Sequence, residues 1–319
     1  MKETPELSKA KPFLKWAGGK SQLIPAIYSA LPASMQGNEN LVYVEPFIGS
    51  GAVLFWFLQQ FPKTRKAVIN DMNTDLSKAF AVVKKSPRKL VKALTAIERQ
   101  YYSLHTIAAQ RDFYLEKRER FNTRAVDAVE NTALMIFMNK TCFNGLFRVN
   151  SKNEFNVPFG KNHNPRICDP EIIMTDSMLL QKVTILEGDY AKTLRYSGPD
   201  TFFYLDPPYK PISKTSSFNS YVNDVFDDRE QVRLKRFCSK VTARGGKWLL
   251  SNSDPKNTNP DDVFFDKLFS GENIYVERVR AKRNINSVVS GRGRIAELLI
   301  SNYTKTLPPD FPDSFIPAE

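Results

Sequence analysis

The sequence predicts a doubly wound α/β fold that is interrupted by one long insertion. Short runs rich in β-branched and aromatic residues recur along the chain, and several are almost continuously apolar and end in Gly, Asp or Pro. Such runs are typical of strands buried on both faces of a mostly parallel sheet. Helical periodicity separates some of these runs, and in one stretch the alternation stops. A chain of 319 residues is long enough for one large domain and a smaller inserted one.

Seven runs are predicted as strands and four segments between them as helices. The strand runs are LVYVEPF from Leu41, KAVIND from Lys66, VTILEGD from Val183, TFFYLDPPY from Thr201, KWLLSNS from Lys247, IYVERVR from Ile274 and IAELLISNY from Ile295. The helical segments are SQLIPAIYSAL, AVLFWFLQQF, TDLSKAFAVVKK and REQVRLKRFCSKV.

The insertion lies between Ser86 and about Asp176. Two long helical stretches, KALTAIERQYYSL and DAVENTALMIFMNKT, precede a polar, Asn-rich and aromatic segment, CFNGLFRVNSKNEFNVPFGKNHNPR, which we predict as a surface hairpin. We therefore expect a discontinuous catalytic domain, residues 1–80 and 177–305, an inserted domain, residues 81–176, and a flexible proline-rich tail, residues 306–319.

Composition narrows the class of protein. Lys and Arg exceed Asp and Glu by 46 to 34, which gives a net charge of +12 and favours a partner with phosphates. No apolar run approaches the roughly 20 residues of a membrane span, and the first residues lack a secretory signal, so we expect a soluble cytoplasmic protein that does not bind membranes. Three dispersed cysteines and two distant histidines offer neither a disulfide framework nor a metal site.

A glycine loop follows the first predicted strand. Gly49 and Gly51 let the backbone turn tightly beneath a ligand at the carboxyl edge of the sheet, although a purely structural turn is an equal alternative. The next strand ends at Asp71, which is placed to accept hydrogen bonds from ribose hydroxyls or, alternatively, to cap the helix that starts near Asn73.

The segment from Trp16 to Ser21 ends like a phosphate-binding P-loop, but Leu14 stands where that motif needs its first glycine. A nucleotide triphosphatase is therefore disfavoured. We interpret the segment as a glycine-rich entry to a helix, with Trp16 as a platform and Lys20 near a carboxylate, and a ligand-free helix cap is the alternative.

The motif Asp206-Pro207-Pro208-Tyr209 follows a very apolar strand, which carries it to the same edge as the glycine loop. The Asp206 carboxylate and the Pro207 carbonyl can each accept one N–H of an amino group. This favours a pyramidal nitrogen whose lone pair can attack an electrophilic methyl group. The prolines stiffen the loop, and Tyr209 offers a face on which a base can stack.

The predicted hairpin has residues suited to a splayed DNA duplex. Phe143 and Phe147 can wedge or stack, and Arg148 can bind a guanine edge. Asn144 and Asn150 can read adenine edges, while Lys152, Lys161 and Arg166 can meet phosphates. A surface hairpin with solvated charges is the alternative. A second basic cluster, for which backbone contact and solubility are comparable interpretations, consists of Arg280, Lys282, Arg283, Arg292 and Arg294.

With these motifs in this order, the chain resembles the Dam/DpnII-type adenine-N6 DNA methyltransferases (D12 class, alpha group). The resemblance runs from about Pro12 to Tyr303 and rests on FLKWAGGK, EPFIGSGA, INDMNTDL, FNGLFRVNSKNEFNVPFG, YLDPPYKPIS, SSFNSY, LLSNS and RIAELLISNY. It implies a Rossmann-like S-adenosylmethionine-dependent fold whose inserted helical and β-hairpin domain recognises the target.

The resemblance also implies roles for individual residues. Asp206 to Tyr209 would form the catalytic loop. The candidate contacts to S-adenosylmethionine are Trp16, Ala17, Gly18, Lys20, Glu45, Phe47, Gly49, Gly51, Asp71, Asp189, Tyr190 and Asp206. The candidate DNA contacts are Lys15, Phe143, Asn144, Leu146, Arg148, Asn150, Pro158 and Lys161.

The resemblance implies methylation of a flipped adenine in double-stranded DNA, with GATC as the first expectation, by a metal-free monomer that can have a cognate restriction endonuclease. Two alternatives remain: an RNA amino-group methyltransferase, and a non-catalytic DNA-binding regulator. Cytosine-C5 transfer is disfavoured because it needs a cysteine nucleophile, usually after proline, and none of the three cysteines follows one.

Overall fold

One seven-stranded sheet organises the chain. The computed structural model describes residues 9–16, 18, 20–209, 226–282 and 294–305. The strands lie in the order β3-β2-β1-β4-β5-β7-β6, and β7 runs antiparallel to both of its neighbours while the other pairings are parallel. Their bounds are β1 Val42–Glu45, β2 Lys66–Asp71, β3 Val183–Glu187, β4 Thr201–Leu205, β5 Lys247–Ser253, β6 Tyr275–Lys282 and β7 Arg294–Ser301. The prediction of a mostly parallel α/β sheet is confirmed.

Helices cover the sheet and fill the insertion. Their bounds are α1 Ile24–Ser29, α2 Ala52–Gln60, α3 Thr74–Lys85, α4 Pro87–Tyr102, α5 Ile107–Asn122, α6 Ala128–Thr141, α7 Pro170–Leu180, α8 Asp228–Ala243 and α9 Phe264–Leu268. Side-chain oxygens cap several of their amino ends, which satisfies backbone N–H groups that have no partner within the helix. These capping residues are Asn73, Thr106, Asp127, Asp169 and Asp227.

The inserted helices share a hydrophobic core with the helices of the sheet. Phe80 of α3, Leu94 of α4 and Phe137 of α6 are fully buried in one continuous cluster. The predicted domain boundaries, between residues 80 and 81 and between 176 and 177, lie inside α3 and α7, which pack against each other. Burying these faces together removes apolar surface from water on both sides of the proposed boundary.

The segment after α6, residues 142–161, folds back on itself, and we call it the recognition hairpin. Its two arms meet through two isolated antiparallel bridges, Cys142 to Phe159 and Val149 to Phe155, rather than through regular strands. A tight 3-10 turn at Phe143–Gly145 begins the first arm. The expected hairpin is therefore present in its connectivity and lacks a continuous hydrogen-bonded ladder.

Two further observations complete the fold. Among the helices of the described ranges, none is long and apolar enough to cross a membrane. Cys142, Cys168 and Cys238 are buried free thiols.

Candidate active site and nucleic-acid interface

Three acidic residues meet at the carboxyl edge of the sheet. Glu45 ends β1, Asp71 ends β2 and Asp206 follows β4, and these three strands are direct neighbours. The order of the strands therefore assembles residues that lie far apart in the chain, as expected for a ligand site of a doubly wound sheet.

The glycine loop closes over this edge. The Ile48 N–H donates to the Asn70 carbonyl (3.0 Å), which ties the loop to β2, and the Gly51 N–H donates to the Ile48 carbonyl (2.9 Å). Gly51 has a φ of +77°, and a Cβ there would lie 3.0 Å from the Phe80 ring. Only glycine fits this turn without strain or a shift of the ring beneath it.

Asp71 shapes the glycine loop and the start of α3 together. Its Oδ2 accepts from the Gly49 N–H (3.2 Å) and its Oδ1 accepts from the Asn73 N–H (2.9 Å). The side-chain cap of α3 is Asn73, whose Oδ1 accepts from the Leu76 N–H. The carboxylate of Asp71 is thereby fixed at the edge where a ligand would lie.

Lys20 joins the N-terminal segment to the predicted catalytic loop, residues 206–209. Its Nζ lies 3.1 Å from Asp206 Oδ1 and 3.9 Å from Glu297 Oε2. It also donates to the hydroxyl of Tyr209, which donates in turn to Glu297 Oε2 (2.7 Å). The prediction that Lys20 lies near a carboxylate is confirmed.

Asp206 is held from two sides. The hydroxyl of Ser251 on β5 donates to Asp206 Oδ1 (2.9 Å) and forms a second hydrogen bond with the Tyr204 hydroxyl (3.0 Å). Burial raises the pKa of the Asp206 carboxyl, and the charge and hydrogen bond of Lys20 together with the Ser251 bond offset part of that rise. Pro207 is buried and Pro208 is exposed, so the loop is anchored at its start.

The acids of this edge are costly to ionise together. Burial raises the pKa of Glu45 well above its ordinary value, the Tyr43 hydroxyl bond (2.7 Å) opposes this, and the charges of Asp206 and Asp71 add to it. Burial also raises the pKa of Asp71. A positively charged ligand beside these carboxylates would favour their ionised forms. A sulfonium group therefore fits the charge of this site.

An aromatic wall continues the edge toward β3. Phe47 packs against Tyr190, with ring centroids 5.1 Å apart, and Tyr190 is only 4% exposed. Asp189 accepts from the Ala191 N–H and pairs with Arg233 (2.6 Å), whose guanidinium lies 4.7 Å from the centre of the Tyr190 ring. The predicted contacts Phe47, Asp189 and Tyr190 are thus neighbours, with Arg233 packed against two of them.

Two apolar side chains project from the recognition hairpin. Phe143 is 52% exposed and Leu146 is 38% exposed, so both side chains can reach a bound duplex. Phe147 is different, because its ring stacks on Trp16 at 5.2 Å and contacts Phe155 at 5.5 Å. Of the two phenylalanines considered as wedges, the exposed one is Phe143.

The polar residues of the recognition hairpin differ in how they are held. Arg148 is exposed, and its Nε donates to Asn156 Oδ1 (2.8 Å), which orients the guanidinium. The amide of Asn150 is engaged within the hairpin tip, where Oδ1 accepts from two backbone N–H groups and Nδ2 donates to Glu154. Both lone pairs of the Asn150 oxygen are used by these backbone N–H groups, so bidentate reading of an adenine edge through Asn150 would require one of those bonds to break.

The remaining predicted DNA contacts lie near the base of the hairpin and on its second arm. Asn144, Pro158 and Lys161 are exposed, and the Pro158 carbonyl accepts from the Phe143 N–H (2.9 Å). Arg166 is paired with Asp169 at 3.0 Å, and Lys152 is exposed at the tip.

The N-terminal segment lies between the glycine loop and the recognition hairpin. A Cβ on Gly49 would be 3.3 Å from the Trp16 ring, so this ring lies against the glycine loop. The same ring stacks on Phe147 of the recognition hairpin. Lys15 is exposed beside the hairpin turn, and Gly18 is also exposed. This segment, residues 9–16, which we call the N-terminal strap, therefore borders both candidate sites.

Several predicted features lie outside the described residues. They are Ala17, the motif SSFNSY, the side chains of Lys282, Arg283, Arg292 and Arg294 in the second basic cluster, and the tail, residues 306–319. Arg280 is described and exposed. In the ranges that the structure covers, no three His, Cys, Asp or Glu side chains are grouped so that they could hold a metal ion.

The sequence interpretation missed four residues that hold the site. Ser251 and Glu297 bind the catalytic loop, Asn70 ties the loops after β1 and β3 together, and Arg233 pairs with Asp189. Glu297 had one available signal, since it is an acid inside the apolar strand run IAELLI. Ser251 had a similar one, being the first polar residue after the apolar run from Trp248 to Leu250.

Comparison with known proteins agrees with this geometry. The family model of the D12 class N6 adenine-specific DNA methyltransferases matches residues 16–284. The type II methyltransferase M.MjaIII of Methanocaldococcus jannaschii is 44% identical over 298 residues, which are 92% of this chain and the whole of that protein.

Two further relatives cover the chain to the same extent. The type II methyltransferase M1.LlaDCHI of Lactococcus lactis subsp. cremoris is 36% identical over 92% of this chain and 95% of its own length. The DNA adenine methylase of Vibrio cholerae is 31% identical over 92% of this chain and 96% of its own length.

Proposed function

Because this chain belongs to the D12 class of N6 adenine-specific DNA methyltransferases, we propose that it transfers a methyl group from S-adenosylmethionine to N6 of a flipped adenine in duplex DNA, within GATC. The family acts on adenine in double-stranded DNA, and both the family and the fold imply S-adenosylmethionine as the methyl donor. The observation that carries the proposal is the Asp206 carboxylate, fixed by Ser251 and Lys20 in the loop that also carries Tyr209.

The carboxyl edge supplies the donor site. S-adenosylmethionine, when bound, provides an electrophilic methyl group on a positively charged sulfonium. We assign its amino-acid and sulfonium portion to the region of the glycine loop, Lys20 and the acids Glu45 and Asp206. We assign its ribose to Asp71 and its adenine to the wall formed by Phe47, Asp189 and Tyr190. The excess of buried carboxylates over described cations at this edge supports the placement of the sulfonium.

The catalytic loop makes the target nitrogen reactive. An adenine amino group is a poor nucleophile, because its lone pair is delocalised into the ring. The Asp206 carboxylate and the Pro207 carbonyl each accept one of its N–H groups, which favours a pyramidal nitrogen with its lone pair free for in-line attack. The product ammonium is acidic and loses its proton readily, so Asp206 needs only to be ionised and correctly placed.

The base must leave the duplex before it can reach this loop. Phe143 is the exposed aromatic of the recognition hairpin and can fill the gap that the flipped adenine leaves. Tyr209 has its hydroxyl bonded to Glu297 and Lys20, so its ring offers a fixed face on which the extruded base can stack.

Sequence reading is assigned to the hairpin and the strap beside it. Lys15, Leu146, Arg148 and Pro158 all lie on this surface, and Arg148 presents an oriented guanidinium that suits the acceptor pair of a guanine. Lys161 and Lys152 are placed for phosphates. We propose GATC as the sequence that this set recognises.

We propose that the protein acts as a monomer. We also propose that it has a cognate restriction endonuclease. Two of its relatives carry the name type II methyltransferase, which supports a role in a restriction-modification system. Expression of the chain should therefore protect GATC-containing DNA from an endonuclease that cuts unmethylated GATC.

The test of the proposal is transfer of labelled methyl groups from S-adenosylmethionine to duplexes that contain or lack GATC, followed by nucleoside analysis. N6-methyladenine confined to GATC is the expected result. Label in other duplexes would overturn the GATC assignment and leave the reaction intact, whereas label in RNA alone would overturn the DNA substrate.

Asp206→Ala tests the catalytic assignment in the same assay. Turnover should be lost while binding to the duplex stays measurable. Asp200→Ala is the matched control, since Asp200 precedes the other end of the same strand and bonds Asn38 there. It should keep near wild-type turnover, and near wild-type turnover of Asp206→Ala would show that this carboxylate is not needed.

A further inference from the structure

A buried amide joins the N-terminal strap to the recognition hairpin. Asn139 lies near the end of α6 and is 1% exposed. Its Oδ1 accepts from the Lys15 N–H (2.8 Å), and its Nδ2 donates to the carbonyls of Lys15 (2.9 Å) and Gly145 (2.8 Å). Both amide hydrogens and the amide oxygen are therefore used, all on backbone groups of two segments that are distant in sequence from each other.

The two segments also touch directly. Gly145 has a φ of +63°, and a Cβ at this position would lie 2.6 Å from Lys15 Cδ. The aliphatic part of Lys15 therefore crosses the hairpin turn so closely that a Cβ at position 145 would have no room. The position of the Lys15 side chain depends on the turn, and the turn depends on Asn139.

The residues on either side of this junction are those assigned to the DNA bases. Asn144 and Leu146 flank Gly145, and Lys15 lies opposite them. Asn139 itself is buried and cannot touch a duplex. It can influence recognition only by fixing how Lys15 and the hairpin turn lie relative to each other.

We propose that Asn139 is the positioning residue for sequence recognition, because it holds Lys15 and the turn of the recognition hairpin as one reading surface. This inference rests on the proposed function, in which that surface reads bases. Loss of the amide leaves two buried carbonyls without donors, so the turn and the strap move apart to reach water. Base contacts, which need a fixed geometry, then lose more binding free energy than contacts to phosphates do.

The experiment compares Asn139→Asp with Asn131→Asp. The first variant keeps the acceptor for the Lys15 N–H but turns a carboxylate oxygen toward the two carbonyls. The second places the same change in the same helix at a buried residue, 7% exposed, that is remote from the junction. For each, kcat/KM is measured on the cognate duplex and on duplexes with one base pair changed, together with the melting temperature.

Asn139→Asp should lower the ratio of cognate to altered-duplex kcat/KM by about tenfold or more, the size of one base contact. Asn131→Asp should lower the melting temperature and leave that ratio unchanged. An unchanged ratio in Asn139→Asp, or an equal loss in both variants, overturns the inference while leaving the proposed function in place. A wild-type enzyme that methylates all duplexes equally overturns this inference and the GATC assignment, and leaves the proposed methyl-transfer reaction in place.

Gly145→Ala provides the second variant in case Asn139→Asp does not fold. It displaces Lys15 from the opposite side and leaves the Asn139 side chain intact. The same loss of discrimination is expected, and retention of the wild-type ratio would overturn the inference.

Discussion

Asp206 works in a balance between burial and its two partners. Burial raises its pKa, and Lys20 and Ser251 lower it again. In the proposed mechanism the ionised carboxylate accepts hydrogen bonds both from its protein partners and from the target amine, so we expect activity to require a pH above this pKa. We therefore expect Lys20 to affect the lower pH limit of the reaction as well as the position of the loop.

A pH profile of Lys20→Met tests this balance. Removing the cation removes the strongest influence that lowers the Asp206 pKa, so the acid limb of kcat should move to higher pH. The wild-type limb itself should lie above the value of about 3.9 for an exposed Asp. Single-turnover methyl transfer with saturating duplex and cofactor measures the profile. Lys63→Met, which removes an exposed lysine paired with Glu39, is the control, and an identical limb in both variants would contradict the assignment.

The hydroxyl of Tyr209 and the carboxylate of Glu297 form one unit. Tyr209→Phe keeps the ring but loses the bond to Glu297, and Glu297→Ala loses the same bond from the other end. Each single variant should slow transfer by about 10- to 150-fold, the worth of roughly 1.5–3 kcal/mol in a hydrogen bond to a charged group. Because both variants lose the shared bond between Tyr209 and Glu297, the double variant should be faster than the product of the two single losses would give. Fully multiplicative losses in this double-mutant cycle would show that the residues act separately.

At the residue scale, the sequence indicates the candidate catalytic residues better than the residues that hold them in place. Asp206, Tyr209 and Lys20 can be found because a rigid motif follows a strand and because a lysine follows two glycines. Ser251 and Glu297 cannot be assigned to the same loop without knowing that β5 lies beside β4 and that β7 lies antiparallel to β5. Their roles depend on the order of strands in space, which the spacing of motifs does not contain.

At the scale of elements, the turn from β1 into α2 shows what a glycine can do besides adopting a left-handed conformation. Gly51 and Gly37 have nearly the same φ, +77° and +75°. A Cβ on Gly37 would meet no atom within 4 Å, whereas one on Gly51 would meet the rings of Phe80 and Phe55 at 3.0 to 3.3 Å. A substitution at Gly37 therefore tests conformational strain alone, whereas one at Gly51 tests strain together with close packing.

Gly51→Ala and Gly37→Ala measure these two effects. Gly37→Ala should cost about 1 kcal/mol of unfolding free energy, the strain of a left-handed alanine. Gly51→Ala should cost about 1–3 kcal/mol more, because the rings must move as well. It should also weaken S-adenosylmethionine binding, while Gly37→Ala should not. Chemical denaturation and calorimetric titration provide the two measurements, and equal effects of both substitutions on stability would contradict the packing argument.

The strands were more predictable than the inserted helices. All seven strand runs were identified, because fully buried strands are nearly continuous in apolar residues. Helix α5 was not identified, since it buries only Tyr114 and Phe121 and shows little apolar periodicity. The hairpin was expected from its composition, but its two isolated bridges follow from tertiary contacts such as the Tyr114 hydroxyl bond to the Val157 carbonyl (2.7 Å).

At the scale of the whole molecule, the insertion is packed as part of the main body. The cluster that contains Phe80 and Leu90 continues without interruption to Phe137 and Phe155. A domain insertion can be recognised in the sequence from the break in strand and helix alternation. The sequence does not reveal whether the insertion has its own core, because an apolar face does not show which partner covers it.

Leu94→Ala tests whether this shared core makes one cooperative unit. Leu94 is fully buried in α4, so the substitution should cost about 2–5 kcal/mol of unfolding free energy. Because the cluster continues onto the helices of the sheet, heat should unfold the wild type and the variant in one transition each. Calorimetry and far-UV circular dichroism should give coincident curves. A variant with two separated transitions would show that the insertion unfolds by itself.

The bonds of Asn139 set a rule for engineering new sequence specificity in this enzyme. A hairpin transplanted from a relative would arrive without the Lys15 backbone that shares its anchor, and its turn would face a strap shaped for another loop. Chimaeras that exchange residues 142–161 together with residues 9–16 and the end of α6 should keep their activity and acquire the donor's specificity. Sequence specificity is then expected to transfer between relatives only when all three segments of the chain are exchanged together.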